Sequence, residues 1–162
     1  MNKKEELLRQ RLVELLGGKQ TRMSFEEAVA DFPVKHINTF PPNIPYPFWH
    51  LLEHIRLLQT DVLDFIKNPN YRYIPDSYWP PNDKRATKKD WDKSVKDFQK
   101  DLKELKKIVK DPNTDLFQKI KWGSGQDIYR EILVVGEHNA YHIGELAILR
   151  QVIGAWPKSR ED

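Results

Sequence analysis

Four of the five histidines in this 162-residue chain fall into two pairs at i, i+4 spacing: His50 with His54, and His138 with His142. Residues four apart stack on one face of an α-helix, so each pair can offer two imidazoles to a common point. Counted at about 100° per residue, the face of His138 and His142 also holds Glu131, Val134, Val135, Glu145 and Leu149, and its apolar members turn it inward. His54 shares a face with Leu51, Leu58 and Phe65, so it points inward as well. His50 lies about 40° off that line on the same count, near the start of its helix, where a rim position is expected. Imidazoles and carboxylates on a core stripe are costly to bury without partners. A divalent cation is one partner, since it takes neutral imidazoles as ligands. A backbone carbonyl is the alternative for His54. Asn139 stands where a glutamate would complete His-Glu-x-x-His, which disfavours a zincin-type protease with its base inside the motif.

Composition narrows the chemistry further. There is no cysteine, which excludes disulfides, thiolate zinc sites, iron–sulfur clusters and a protein thiol nucleophile. Any metal site must therefore be built from His, Asp and Glu. The 27 Lys and Arg against 24 Asp and Glu give a net charge of only +3, with the signs interleaved along the chain, so charge alone points to no nucleic-acid partner. No recognition-helix motif accompanies it, and DNA binding is disfavoured. Apolar runs reach only four residues, as in Ile132-Leu133-Val134-Val135, against the roughly 20 that span a bilayer. The start, Met-Asn-Lys-Lys-Glu-Glu, opens on charge without an apolar stretch, and a cytoplasmic location is the expectation.

The elements that would carry these residues are helical. Residues 3–16 repeat leucines at Leu7, Leu8, Leu12, Leu15 and Leu16, and Gly17-Gly18 ends them. Ser24 and Glu27 form a capping-box pattern opening a short helix that Pro33 closes. A connection with Pro41, Pro42, Pro45 and Pro47 leads into a long helix over about 47–67, stopped by Asn68-Pro69-Asn70. The loop over 69–86 carries Tyr71, Tyr73, Tyr78 and Trp79, and its length marks it as functional or as a cover. Thr87 with Asp90 starts the next helix, whose stripe of Trp91, Val95, Phe98, Leu102, Leu105 and Val109 faces the core while Lys and Asp face solvent. Asp111-Pro112-Asn113 stops it, and after the turn at Gly123-Ser124-Gly125 a last helix covers about 126–152. Long helices with one apolar face each, a long crossover and no convincing strand predict one all-α domain over 1–162, a four-helix bundle.

Several segments together resemble the DinB/YfiT-like superfamily, closest to its uncharacterised bacterial branch. They are Pro47-Phe48-Trp49-His50-Leu51-Leu52-Glu53-His54-Ile55-Arg56, the Tyr78-Trp79-Pro80 loop, Gly123-Ser124-Gly125-Gln126, Arg130-Glu131 and Glu137-His138-Asn139-Ala140-Tyr141-His142-Ile143-Gly144. The likeness runs from about residue 5 to Trp156, with the motifs in order. It implies a four-helix bundle with a long crossover, a homodimer, and one divalent metal held by three histidines, one from the helix after the proline loop and two from the last helix. Carried over residue by residue, the ligands are His54, His138 and His142. His50 stands where relatives often carry Gln and is not assigned. Glu145 also departs, because Gln commonly follows that glycine in the family.

Three neutral imidazoles leave a divalent ion its full charge and open positions, so such a site can acidify water or activate a substrate thiolate. The resemblance implies a metal-dependent enzyme working on a small molecule. A low-molecular-weight-thiol S-transferase is the leading expectation, and a metal-dependent hydrolase is the alternative. With no cysteine in the chain, the sulfur would have to arrive with the cosubstrate. Glu145, Glu131 and Glu137 are the candidate proton acceptors, against a solvated or ion-paired surface position as the plainer expectation for each. Aromatic packing is the first expectation for Tyr141 and the Tyr78-Trp79 loop, and lining the mouth of the site is the alternative. A non-catalytic, metal-stabilised stress-response binding module is the reading from another class. Imidazole donors leave zinc, nickel, iron or manganese open.

Overall fold

The computed structural model describes residues 2–18, 23–75 and 77–157, so the single-domain reading of 1–162 extends past it at both ends. The described residues contain five α-helices: α1 (Lys3–Gly17), α2 (Phe25–Val29), α3 (Phe48–Lys67), α4 (Lys88–Lys110) and α5 (Ile128–Val152). The described residues are all-α, with one 3-10 turn at Val34–His36 and one isolated bridge between Lys119 and Asp127. No helix of the described residues is long and apolar enough to cross a membrane.

Each helix begins and ends on chemistry visible in its flanks. The Asn2 side chain accepts from the backbone N–H of Lys4 and Glu5, and α1 ends at Gly18 with φ 73°, a left-handed conformation that glycine adopts without cost. Ser24 with Glu27, and Thr87 with Asp90, form complete capping boxes for α2 and α4. Asp127 caps α5, which therefore starts two residues later than the periodicity predicts. Pro47 precedes α3 in extended backbone, and the Trp49 N–H donates to the Ile37 carbonyl at 2.8 Å, tying the helix start to the 3-10 turn.

Helix α3 packs on α4 and α5, α1 packs on the same two, and α2 leans on α5. Leu51, Leu52, Ile55, Phe98, Leu105, Ile132, Val135 and Leu146 are fully buried between them. Phe25 stacks on Phe98 and Phe32 on Trp91. The predicted stripe of α4 holds except at Val95, which is only half-buried, while Ser94 beside it is fully buried. Leu7 of α1 is half exposed and Arg9 takes a buried place instead.

Two buried arginines close the ends of the helix packing. Arg9 donates to the carbonyls of Val109, Asp111 and Thr114, so a cation from α1 sits on the negative end of α4. Arg150 donates to Ala155, Ala28 and Asp31 carbonyls and lies over the Phe32 and Trp156 rings. Deeper in, the Asn139 amide of α5 donates to Gln59 of α3 at 2.9 Å, and Gln59 donates to the Phe98 carbonyl of α4 at 2.8 Å. That relay fixes the rotation of α3 against α5, on which the histidine faces depend.

Helices α1 and α5 approach closely at Gly136, where a Cβ would meet the Leu15 side chain at 2.6 Å. Gly136→Ala is expected to cost about 1–3 kcal/mol through overpacking, read as a fall in Tm of roughly 2–4 °C per kcal/mol. Adding Leu15→Ala removes the clash, so the double variant should lose less than the sum of the singles.

Candidate metal centre

The seam between α3 and α5 brings three imidazoles together. The Nε2 of His54 lies 3.2 Å from that of His142 and 3.0 Å from that of His138. All three ligand atoms fall within 4.8 Å of one another, and the rings are partly buried. His54 comes from α3, while His138 and His142 are one turn apart on α5.

The other ring nitrogens decide which way the lone pairs point. His54 Nδ1 donates to the Tyr78 carbonyl at 3.0 Å, and His142 Nδ1 donates to Glu145 Oε2 at 2.7 Å. A neutral imidazole carries one N–H, so both rings turn an unprotonated Nε2 toward the shared point. Two lone pairs 3.2 Å apart repel unless a cation or a proton lies between them. Protons are disfavoured, because burial and the neighbouring histidines push His138 down to about 4, and burial also lowers His54. At the usual zinc–imidazole distance of about 2.0–2.1 Å, nitrogens on two corners of a tetrahedron stand about 3.4 Å apart. The observed spacings are a few tenths shorter, and a small outward shift would accommodate an ion. His138 Nδ1 is buried without a hydrogen-bond partner among the described residues, so only the contacts of its Nε2 and ring packing orient it. The three histidines can hold a metal ion.

Distant segments complete the surroundings. The Trp79 indole lies flat on the His54 ring, with centroids 4.0 Å apart and planes at 9°, and Tyr46 leans on Trp79. The Tyr46 hydroxyl donates to Glu145 Oε1, so both oxygens of that carboxylate are engaged. Burial works to raise the Glu145 pKa, but hydrogen bonds from His142 and Tyr46 outweigh it and hold the group below the usual carboxylate range. Burial and the Glu145 carboxylate push the Tyr46 phenol up, which keeps it a donor. Tyr141 stands edge-on to His142 and is largely exposed, at the outer side of the cluster.

The predicted glutamates part company here. Glu145 joins the histidines. Glu131 is buried but pairs with Arg130 at 2.5 Å and lines a cavity that does not include the three histidines. Glu137 faces solvent. The rim position expected for His50 is corrected: it is 2% exposed, and its Nε2 meets the Lys84 carbonyl at 2.9 Å. The loop after α3 folds back over the helix start and covers it. Tyr46 is the site residue that sequence reasoning missed. It sits in a proline-rich connection with no periodicity to give it a face.

His54→Ala is expected to abolish stoichiometric metal uptake in protein purified without an affinity tag, measured by elemental mass spectrometry after dialysis. Glu145→Gln should weaken uptake about 10–100-fold, the usual cost of disturbing a ligand's hydrogen-bond partner. In metal-free protein, His138 binds fewer protons folded than unfolded between its ordinary 6.5 and about 4. Stability therefore falls as pH drops through that window, and denaturant melts should show a shallower fall in His138→Asn. Compared with known protein families, curated proteins and solved structures, the chain finds no match.

Proposed function

We propose that the chain is a divalent-metal-dependent enzyme, a four-helix bundle with a long crossover of the DinB/YfiT-like kind. His54, His138 and His142 would hold its ion. The observation that carries the reading is the convergence of their Nε2 atoms, with the Nδ1 of His54 and of His142 already used elsewhere. An ion on three neutral imidazoles supplies a Lewis acid with positions open to a substrate.

The chain's own residues prepare the site in distinct ways. Glu145 holds the His142 tautomer, and Tyr46 holds Glu145, which makes both positioning residues in this reading. Trp79 shields one face of His54 from water. Tyr141, exposed beside His142, is placed to meet a substrate at the rim. Among the described residues three protein ligands are gathered, and a structural metal site closes with four, so the arrangement favours catalysis over a purely stabilising ion. The proposed reaction is transfer of an electrophilic carbon group onto the sulfur of a low-molecular-weight thiol. A C–S bond forms, the bond to the leaving group breaks with its electron pair going to that group, and the thiol proton is released to solvent. The sulfur comes from outside the chain because the sequence has no cysteine. Leu133, Ile148 and Val152 are exposed apolar residues of α5 that would suit the homodimer proposed with this fold.

Protein loaded with zinc, nickel, iron or manganese in turn is expected to join a small thiol to an electrophilic haloarene, with the thioether followed by mass spectrometry. His138→Ala should abolish the reaction while leaving the helical circular dichroism intact. Cleavage of an ester by the loaded protein, with no thioether from any thiol tried, would replace the transferase with a hydrolase. Metal-dependent stability without turnover of either kind would sink the enzymatic reading.

A further inference from the structure

A cavity of about 440 Å³ opens along the same α3–α5 seam and includes none of the three histidines in its walls. Its Leu58 and Val134 are each four residues, or one turn, from His54 and His138. The size is that of a small-molecule site. The lining is distinctive: Tyr71, Tyr73, Tyr78 and Trp122 surround the carboxylates of Asp61 and Glu131.

These groups are held in place rather than merely near one another. The Tyr71 hydroxyl donates to both oxygens of Asp61 at 3.0 and 3.1 Å, and the Tyr78 hydroxyl to Oδ2 at 2.9 Å. Phe65 meets the Tyr71 ring edge-on, and Trp122 is anchored by its Nε1–H on the Phe65 carbonyl at 2.7 Å. Glu131 is 4% exposed. Arg130 supplies the positive side chain of the lining, but it lies against Glu131 with 58% of its side chain exposed. Two carboxylates against one guanidinium leave the cavity net negative, which repels an anionic ligand. Aromatic faces around such a charge attract an organic cation through the ring quadrupole.

We propose that this cavity binds an alkylammonium group, primary or quaternary, between the tyrosine and tryptophan rings and Asp61. The site does not require the metal reading, since its walls and charges are independent of the three histidines. It touches the metal centre at one residue. Tyr78 reaches Asp61 with its hydroxyl and His54 Nδ1 with its carbonyl. A substrate carrying both a reactive group and an ammonium would span the two.

The test is calorimetric titration of metal-free and metal-loaded protein with choline and with 3,3-dimethylbutan-1-ol, which has carbon in place of the quaternary nitrogen. Choline is expected to bind saturably in both forms, and the neutral isostere at least tenfold more weakly. Asp61→Asn keeps an acceptor for the two phenols while removing the charge, and should weaken choline at least tenfold. Tyr73→Leu, at a largely exposed ring, should weaken it without disturbing the fold, so the test survives if Asp61→Asn is unstable. Equal binding of the two isosteres, undiminished binding by both variants, or no saturable binding of choline overturns the proposal. Failure of metal uptake with intact choline binding would instead remove the metal reading alone.

Discussion

The unprotonated Nε2 atoms of His54 and His142 face each other at 3.2 Å, and the contacts around them hold that opposition in place. Left to relax, two such rings would rotate apart or share a proton. Neither escape is open. The Tyr78 carbonyl claims one Nδ1–H and the Glu145 carboxylate claims the other, while the flat Trp79 indole blocks rotation of His54. Burial makes protonation of His54 costly. What remains is a concentrated patch of electron density at a fixed point, for which a divalent cation is the natural complement.

Holding that point requires the two helices to keep one rotation and one register. The Gln59–Asn139 hydrogen bond lies within the seam, five residues along α3 from His54 and next to His138 on α5. A slip of either helix would break it and leave buried amides unpaired, at about 1–3 kcal/mol for each stranded group. Gly136, two residues before His138, lets α1 press against α5 where a larger residue would push it away. The buried Arg9 and Arg150 each donate to three backbone carbonyls, and Arg9 also pairs with the Glu5 carboxylate at 2.7 Å, so they secure helix ends and tails.

The long connections do more than join helices. The segment before α3 brings Tyr46 to Glu145, and the segment after it brings Tyr78 to His54, covers His50 and walls the tyrosine-lined cavity. Along the α3–α5 seam lie two differently polarised regions, the three-imidazole cluster and the net-negative aromatic cavity. Tyr78 is the residue with a polar atom in each.

Much of this was legible in the amino-acid sequence because helical periodicity and capping are local physics. Asn2, Ser24, Thr87 and Asp127 cap within three residues of themselves, and the apolar spacing of α3, α4 and α5 tells which side of each helix meets the others. That spacing alone turned His54, His138 and His142 inward, and the absence of cysteine limited the ligand types to His, Asp and Glu. Tertiary structure decided whatever depends on a partner far along the chain. His50 is buried because residue 84 crosses over it, and the second carboxylate oxygen of Glu145 is engaged because Tyr46 arrives from 99 residues away. Glu131 and Glu137, alike in sequence, part because one faces a cavity and the other solvent. A helix's period sets the direction of a side chain. What stands in that direction is set by how irregular segments fold back across it, and those carry no period to read.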